Sequence, residues 1–212
     1  MFSIQHPIRR MIYSQYQFLK SMIDTFPQLL NEWVETQRQE VDSLSKVCAQ
    51  GDYDVYRTIY NSEISRIDNC VDEELLFNQA MLIMVYSFYE SFLNRISKEI
   101  NLDVSNAMPS KIACKNEVVL DDYYKDISSF LFHVIRPIRN QLCHNNSGTL
   151  FSREDKETDI VKIKDLHRHN HIQIEDGVIY IVDKSFIHDI LDQEFKLLVK
   201  LSDICGFKTI KK

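Results

Sequence analysis

Apolar residues recur at three- and four-residue spacing along most of this chain, which is the period of a helix with one buried face. The first such stretch is interrupted at Pro27 and predicts two helices, at about residues 9–24 and 26–49, with the proline in the first turn of the second. A weaker stretch from Tyr53 to Asn69 predicts another helix. The residues expected to be buried in that helix are Val55, Ile59, Ile64 and Ile67.

The strongest helical pattern runs from about Asp72 to Ile100, and its broad apolar face suits the centre of a bundle. The positions predicted to face inward are Leu76, Ala80, Ile83, Met84, Phe88, Phe92, Leu93, Ile96 and Ile100. A polar stripe formed by Ser87, Glu90, Ser91 and Asn94 follows the same helix, and a solvated face is one explanation for it. The other is that Glu90 lies across a groove from Arg139 and orients it through a charge-assisted hydrogen bond.

The polar segment from Asn101 to Leu120, broken by Pro109, predicts a loop. A helix then begins at Asp121-Asp122, whose carboxylates suit a helix N-terminus. Pro137 lies inside this helix, where its missing N–H predicts a kink just before Arg139. Residues 151–166 predict a surface loop or a short helix.

Apolar and polar residues alternate on both sides of Asp176-Gly177, which predicts a β-hairpin from Ile172 to Val182 with a tight primed turn. Asp183-Lys184-Ser185 is expected to cap a final helix that ends at Gly206. The chain is therefore predicted to be mainly α, a helical bundle with an antiparallel β-hairpin insert before the C-terminal helix. We expect a single domain over 1–212, in which a helical extension, 1–70, packs on a core, 72–205.

Composition agrees with a globular helical protein: of 212 residues, 44% are hydrophobic and 26% charged, and only four Gly and four Pro serve turns. The formal net charge of -6 argues against a protein that coats nucleic acid through many phosphate contacts. Five well-separated Cys without a CxxC pair favour reduced thiols, and Cys143 is expected to be a small buried hydrophobe. With no signal-peptide pattern and no apolar run of bilayer length, a cytoplasmic protein without a membrane segment is expected.

One stretch departs from the acidic balance, because residues 127–153 contain no Asp or Glu but three Arg and two His. Such a cationic window is where an anion such as an RNA phosphate would bind. On its helix, Asn140 and His144 share a face, and Arg139 lies about 100° to one side, so a ligand could sit between Arg139 and His144. The alternative is a partly buried helix with a satisfied His and an Arg whose head reaches solvent.

The alternating His167, His169 and His171 would meet a metal only on an extended strand, and no acid or Cys completes a site, so neither a metal nor a cofactor is predicted. Neither a Gly-rich phosphate loop nor an H-E-x-x-H pattern occurs in the sequence.

The run Arg139-Asn140-Gln141-Leu142-Cys143-His144 resembles the RNxxxH signature of the HEPN superfamily, helical-bundle proteins of bacterial toxin and phage-defence systems. The resemblance covers roughly residues 74–205. It implies a metal-independent endoribonuclease that leaves a 2′,3′-cyclic phosphate and a 5′-hydroxyl. In that reaction His144 would act as general base or acid, Arg139 would bind the scissile phosphate, and Asn140 would bind the phosphate or hold His144.

The resemblance further implies a set of supporting residues, Glu90, Arg136 and Asn145, together with RNA as substrate and a homodimer whose two-fold axis joins two Arg–His sets. An antitoxin or another defence-system protein is a possible partner. In HEPN toxins paired with nucleotidyltransferase antitoxins a Tyr follows two residues after the His, whereas Asn146 stands here, so control through that Tyr is not expected. A non-catalytic HEPN scaffold that binds RNA or protein, or a plain helical structural protein, remains the alternative.

Overall fold

The computed structural model is a mainly helical bundle with a two-stranded antiparallel hairpin before its C-terminal helix, which confirms the predicted architecture. The structure describes residues 3–4, 6–68, 71–143, 163–166, 168–175, 178–207 and 210–211. The helices are α1 (Pro7–Ala49), α2 (Tyr53–Asp68), α3 (Val71–Glu99), α4 (Pro109–Lys115), α5 (Asp122–Phe130), α6 (Arg136–Cys143) and α7 (Lys184–Ile204). The strands are β1 (Ser3–Ile4), β2 (Ile172–Glu175), β3 (Val178–Ile181) and β4 (Ile210–Lys211). Within these ranges, no helix combines the length and the apolar character needed to cross a membrane.

The first helix, α1, is continuous from Pro7 to Ala49, so the prediction of two helices separated near Pro27 is wrong. Pro27 is buried in the helix and has no N–H to donate to the carbonyl of Ile23. Beside it, the Phe26 ring stacks on Phe77 of α3, with ring centroids 3.8 Å apart. Burial of the proline and this aromatic contact hold the helix against the core where the hydrogen bond is lost, and so offset the loss.

The core cluster takes its α1 residues from the N-terminal half of the helix. No residue from 28 to 44 is buried, and the two buried residues near the end of the helix, Ser45 and Ala49, are not part of that cluster. The remainder of α1 pairs with α2, and we call residues 28–68 the arm. Trp33, Leu44 and Val55 are exposed on the arm, so the prediction that Val55 is buried is wrong, whereas Ile67 is buried as predicted. The buried residues in the N-terminal half of α1 are Ile12, Tyr16, Leu19, Ile23 and Pro27.

Helix α3 is the centre of the bundle, as predicted, but the first half of its buried face is rotated from the predicted one. Leu76, Ala80 and Met84 are exposed, and Asn78 is buried instead. The Asn78 side-chain amide donates to the Ile181 carbonyl of β3 at 3.2 Å. Because the face of α3 that carries Asn78 packs against the hairpin, Leu76, Ala80 and Met84 on the other side of the helix face solvent. The predicted inward residues of the second half are buried as expected, namely Phe88, Phe92, Leu93 and Ile96.

The predicted loop after α3 contains two helical elements that the sequence reading missed, a 3-10 helix (Val104–Asn106) and α4. The Asp103 carboxylate accepts a hydrogen bond from the Ser105 N–H and caps the 3-10 helix. Pro109 occupies the first turn of α4, where a missing N–H costs nothing. The prediction that Pro109 lies in a loop is therefore wrong, because Pro109 begins α4.

The β-hairpin and the C-terminal helix follow the prediction closely. Strands β2 and β3 pair antiparallel, with Ile172 opposite Ile181, and the turn at 176–177 lies outside the described residues. Asp183 caps α7 by accepting from the Ser185 N–H, and Gly206 follows the helix with a φ of 75°. One further pairing, of β1 with β4, was not predicted and joins the two ends of the described chain.

Candidate functional site

The candidate site lies on one nearly continuous helical segment, in which a π-helical turn (Leu131–Ile135) connects α5 to α6. Asp121 caps α5, as predicted, by accepting from the Tyr124 N–H. In the wide turn, the Arg136 N–H donates to the Leu131 carbonyl, five residues back. The helix thus accommodates the following Pro137 by widening ahead of it, where a simple kink was predicted. Helix α6 then packs on α3 and buries Ile138 completely.

Arg139 and Glu90 are in direct contact, as the second explanation of the polar stripe predicted. The Arg139 Nη2 donates to Glu90 Oε2, and Nη1 donates to the Asn140 Oδ1 at 2.9 Å. The Arg139 guanidinium carbon also lies 5.5 Å from the centre of the Tyr86 ring. The two opposite charges offset each other because the side chains are in contact. Both side chains are only partly buried, so solvent still reaches the pair.

The arrangement defines which donors the site can offer. Arg139 Nε is buried, and within the part of the chain that the structure describes it has no hydrogen-bond partner. Because Asn140 Oδ1 accepts from Arg139, its amide nitrogen is the group that could donate to a bound phosphate or to a neighbouring side chain. An anion at this position would therefore meet a guanidinium and an amide that are already oriented by Glu90 and by each other.

His144 and Asn145 lie outside the described residues, and so does Asn146. The predicted groove between Arg139 and His144 is therefore a hypothesis about residues beyond the last described position of α6, Cys143. Cys143 itself is exposed, so the prediction that it is a buried hydrophobe is wrong. On the amphipathic α6 helix, the core-facing position is taken by Ile138.

Arg136, the other candidate cation, is not in the Glu90–Arg139 contact. Its guanidinium carbon lies over the Phe132 ring at 4.9 Å from the centroid. Arg136, Phe132 and Glu90 line one cavity of about 480 Å³, whose inner wall includes Tyr86 and Tyr89. Glu90 of α3 and Arg136 of α6 thus share this cavity, whereas Arg139 and Asn140 lie beside it and do not line it.

Sequence reasoning missed the aromatic part of this cavity. Tyr86 and Tyr89 lie one helical turn before Glu90 and Leu93, on the face of α3 that meets α5 and α6. Their three- and four-residue spacing indicates a buried helix face. It does not distinguish tyrosines that line a cavity from tyrosines in a filled core. Burial is the main cause that raises the pKa of Tyr86, and the Glu90 carboxylate raises it further, so this phenol stays protonated.

A second buried acid, Glu194 of α7, was also missed. Its side chain has no exposed surface, and among the described residues neither carboxylate oxygen has a hydrogen-bond partner. Burial raises the pKa of Glu194 well above its usual range, and the nearby Glu90 charge acts in the same direction. Its spacing of four from both Ile190 and Leu198 placed it on the buried face of the predicted helix.

The histidines before the hairpin are held by their own acidic partners. His171 Nδ1 lies 2.8 Å from Asp183 Oδ2, and its ring stacks on Phe186. His169 contacts Asp165 on the preceding turn, and His167 lies outside the described residues. The described ranges contain no group of three His, Cys, Asp or Glu side chains placed to hold a metal ion.

Comparison with known proteins adds no identification: no family model, no curated protein and no solved structure matches this chain. The chain is a mainly helical bundle with an inserted hairpin. Its most informative local feature is the contact of Arg139 with Glu90 and Asn140.

Proposed function

We propose that the protein is a HEPN-type, metal-independent endoribonuclease that acts as a toxin or in antiphage defence in the cytoplasm. The observation that carries the proposal is the contact of Arg139 with Glu90 and Asn140. It supports the proposal because the first two residues of the RNxxxH motif are oriented together by an acid from the central helix. A positioned guanidinium of this kind can bind a phosphate and stabilise charge that develops in a transition state.

In this reaction the 2′-hydroxyl of RNA attacks the adjacent phosphorus atom, and the bond from phosphorus to the 5′-oxygen of the next nucleotide breaks. His144 takes or gives the transferred proton, since an imidazole titrates near neutral pH. Arg139 holds the non-bridging phosphate oxygens, and Asn140 donates its amide to the phosphate or to His144. Asn145 and Arg136 stand next to these groups in the sequence and are proposed to contact the RNA strand.

A homodimer forms part of the proposal, because one Arg–His set is sparse for catalysis and two-fold symmetry would double it. Sedimentation at micromolar concentration checks this directly. We expect a dimer, and a monomer with full activity would contradict the symmetric site.

The alternative is a non-catalytic scaffold of the same fold that binds RNA or protein. The Arg139–Glu90 ion pair favours this alternative too, because Glu90 already offsets the Arg139 charge, as it would in an ion pair that only stabilises the fold. The two proposals differ in whether RNA is cleaved after it binds.

The deciding experiment is cleavage of total cellular RNA in EDTA by the wild type and by His144→Ala and Arg139→Ala. We expect each substitution to lower the rate by roughly 10²-fold or more, as for loss of a positioned acid–base or electrostatic group. Matched controls are His169→Ala and Arg95→Ala, which remove an exposed residue of the same type elsewhere and should leave the rate unchanged. RNA ends with a cyclic phosphate support the enzyme, whereas RNA binding by the wild type without cleavage above the level of the His144→Ala and Arg139→Ala variants supports the scaffold.

A further inference from the structure

The cavity beside the Glu90–Arg139 contact has the dimensions of a ligand site. Its volume is about 480 Å³, within the range of roughly 300–1,000 Å³ typical of small-molecule pockets. It lies between α3, the 3-10 helix with the start of α4, and the α5 segment with its π-helical turn. Arg139 does not line it, but Tyr86 and Glu90, both in contact with Arg139, do.

The walls of this cavity suit a flat aromatic ligand. Tyr86 and Tyr89 are almost fully buried and are among the residues that line it. Phe132, a residue that is 38% exposed, also lines the cavity, and the Arg136 guanidinium carbon lies 4.9 Å from the centre of its ring. Unpaired RNA bases bind proteins by stacking on aromatic rings and on guanidinium planes, and a cation so placed also favours a ligand that carries phosphate.

The polar groups of the cavity select which base fits best. Among the described residues that line this cavity, Glu90 is the only carboxylate, and an ionised carboxylate can only accept hydrogen bonds. Its Oε2 already accepts from Arg139, which leaves Oε1 and the remaining lone pair of Oε2 for a ligand. Guanine alone among the RNA bases presents two adjacent donors on one edge, the N1–H and the 2-amino group. Uracil, cytosine and adenine each place an acceptor beside their donor, and that acceptor would face the carboxylate.

We propose that this cavity binds an unpaired guanine base, read by Glu90 and stacked against Phe132 and Arg136. The placement of the guanosine phosphate next to Arg139 rests on the proposed ribonuclease function, whereas the base site itself does not. If both hold, the enzyme cleaves RNA next to guanosine, because the base fixes which phosphate reaches Arg139.

The test measures binding of GMP to the full chain by calorimetry at low salt. GMP has no phosphodiester bond to the next nucleotide, so binding is measured without cleavage. We expect GMP to bind at least about tenfold more tightly than IMP, which lacks the 2-amino group, and than AMP or UMP. Glu90→Gln replaces an acceptor oxygen by an amide of the same shape and should remove the preference for GMP over IMP. Phe132→Ala should weaken all four nucleotides by roughly tenfold through lost stacking.

Matched controls are Glu40→Gln and Phe18→Ala, which change an exposed acid and an exposed Phe of α1 and should leave GMP affinity unaltered. Equal affinity for the four nucleotides, or no binding to the folded wild type, overturns the guanine site. The outcomes also separate the two proposals. If GMP binds but no RNA is cleaved, the guanine site stands and the ribonuclease proposal is wrong. If RNA is cleaved without base preference, the ribonuclease proposal stands and the guanine site is wrong.

Discussion

Glu194 is the residue in which sequence, burial and charge conflict most clearly. It is a carboxyl group without exposed surface on the apolar face of α7, and its oxygens find no hydrogen-bond donor among the described residues. A buried ionised carboxylate without a partner costs several kcal/mol, so the group keeps its proton instead. Burial accordingly raises its folded-state pKa above the unfolded value.

This conflict predicts how stability depends on pH. Because the folded protein binds the Glu194 proton more tightly than the unfolded chain, the contribution of Glu194 to the free energy of unfolding is fully present below the ordinary Glu pKa and is lost as pH rises through the folded pKa. Glu194→Gln removes this titration, and we expect the variant to be more stable than the wild type by roughly 1–3 kcal/mol at pH 8. Denaturant unfolding over a range of pH measures the difference, which should shrink in acid. The exposed Glu40→Gln is the control, and the same pH dependence in all three proteins would contradict the explanation.

For individual residues, the sequence indicated which charged side chains could be partners, but not how deeply each side chain is buried. The Glu90–Arg139 contact was one of two explanations that the polar stripe left open, and the structure shows it. Helical spacing places Tyr86 and Glu194 on apolar faces, but their near-complete burial depends on how α3 and α7 pack together, which spacing does not show. The exposure of Cys143 was likewise mispredicted, because a small apolar side chain carries almost no orientation signal.

Among the elements, α7 has both of its ends defined by local chemistry. At its C-terminus the Phe207 N–H donates to the Ser202 carbonyl and the Gly206 N–H to the Asp203 carbonyl, which is a Schellman motif. Gly206 has a φ of 75°, a conformation that residues with a Cβ adopt at a cost. A Cβ added there would meet nothing within 4 Å, so the cost is purely conformational.

Gly206→Ala is therefore expected to lower the free energy of unfolding by about 1 kcal/mol. Gly206→Asn should cost clearly less, because Asn tolerates the left-handed region better than Ala does. Chemical denaturation of both variants provides the comparison. Equal losses for Ala and Asn would mean that backbone strain is not the cause.

Element boundaries were predictable where a side chain caps the backbone and failed where a proline was read in isolation. Asp121 and Asp183 begin helices as expected, because their carboxylates satisfy free N–H groups. Pro27 was predicted in the first turn of a second helix and Pro109 in a loop, but α1 continues through Pro27, and Pro109 starts α4. A proline alone does not distinguish these outcomes, since each depends on what packs against the ring.

For the molecule as a whole, the division of α1 between core and arm sets where stability resides. Leu19 and Leu44 are the same residue type in the same helix, yet Leu19 is 1% exposed and Leu44 is 63% exposed. We expect Leu19→Ala to cost about 2–5 kcal/mol of unfolding free energy and Leu44→Ala to change it by no more than about 0.5 kcal/mol. Thermal or urea unfolding of the two variants measures this. A large loss for Leu44→Ala would show that the arm is packed against something in solution.

The position of Pro27 gives α1 a mechanical property. The proline is the last buried residue before the arm, and the Ile23 carbonyl lacks its helical N–H donor there, so the bending stiffness of the rod is lowest where it leaves its support. Beyond this point the rest of α1 extends roughly 33 Å at 1.5 Å per residue. A load on the arm would therefore bend α1 at Pro27, beside the stacked rings of Phe26 and Phe77.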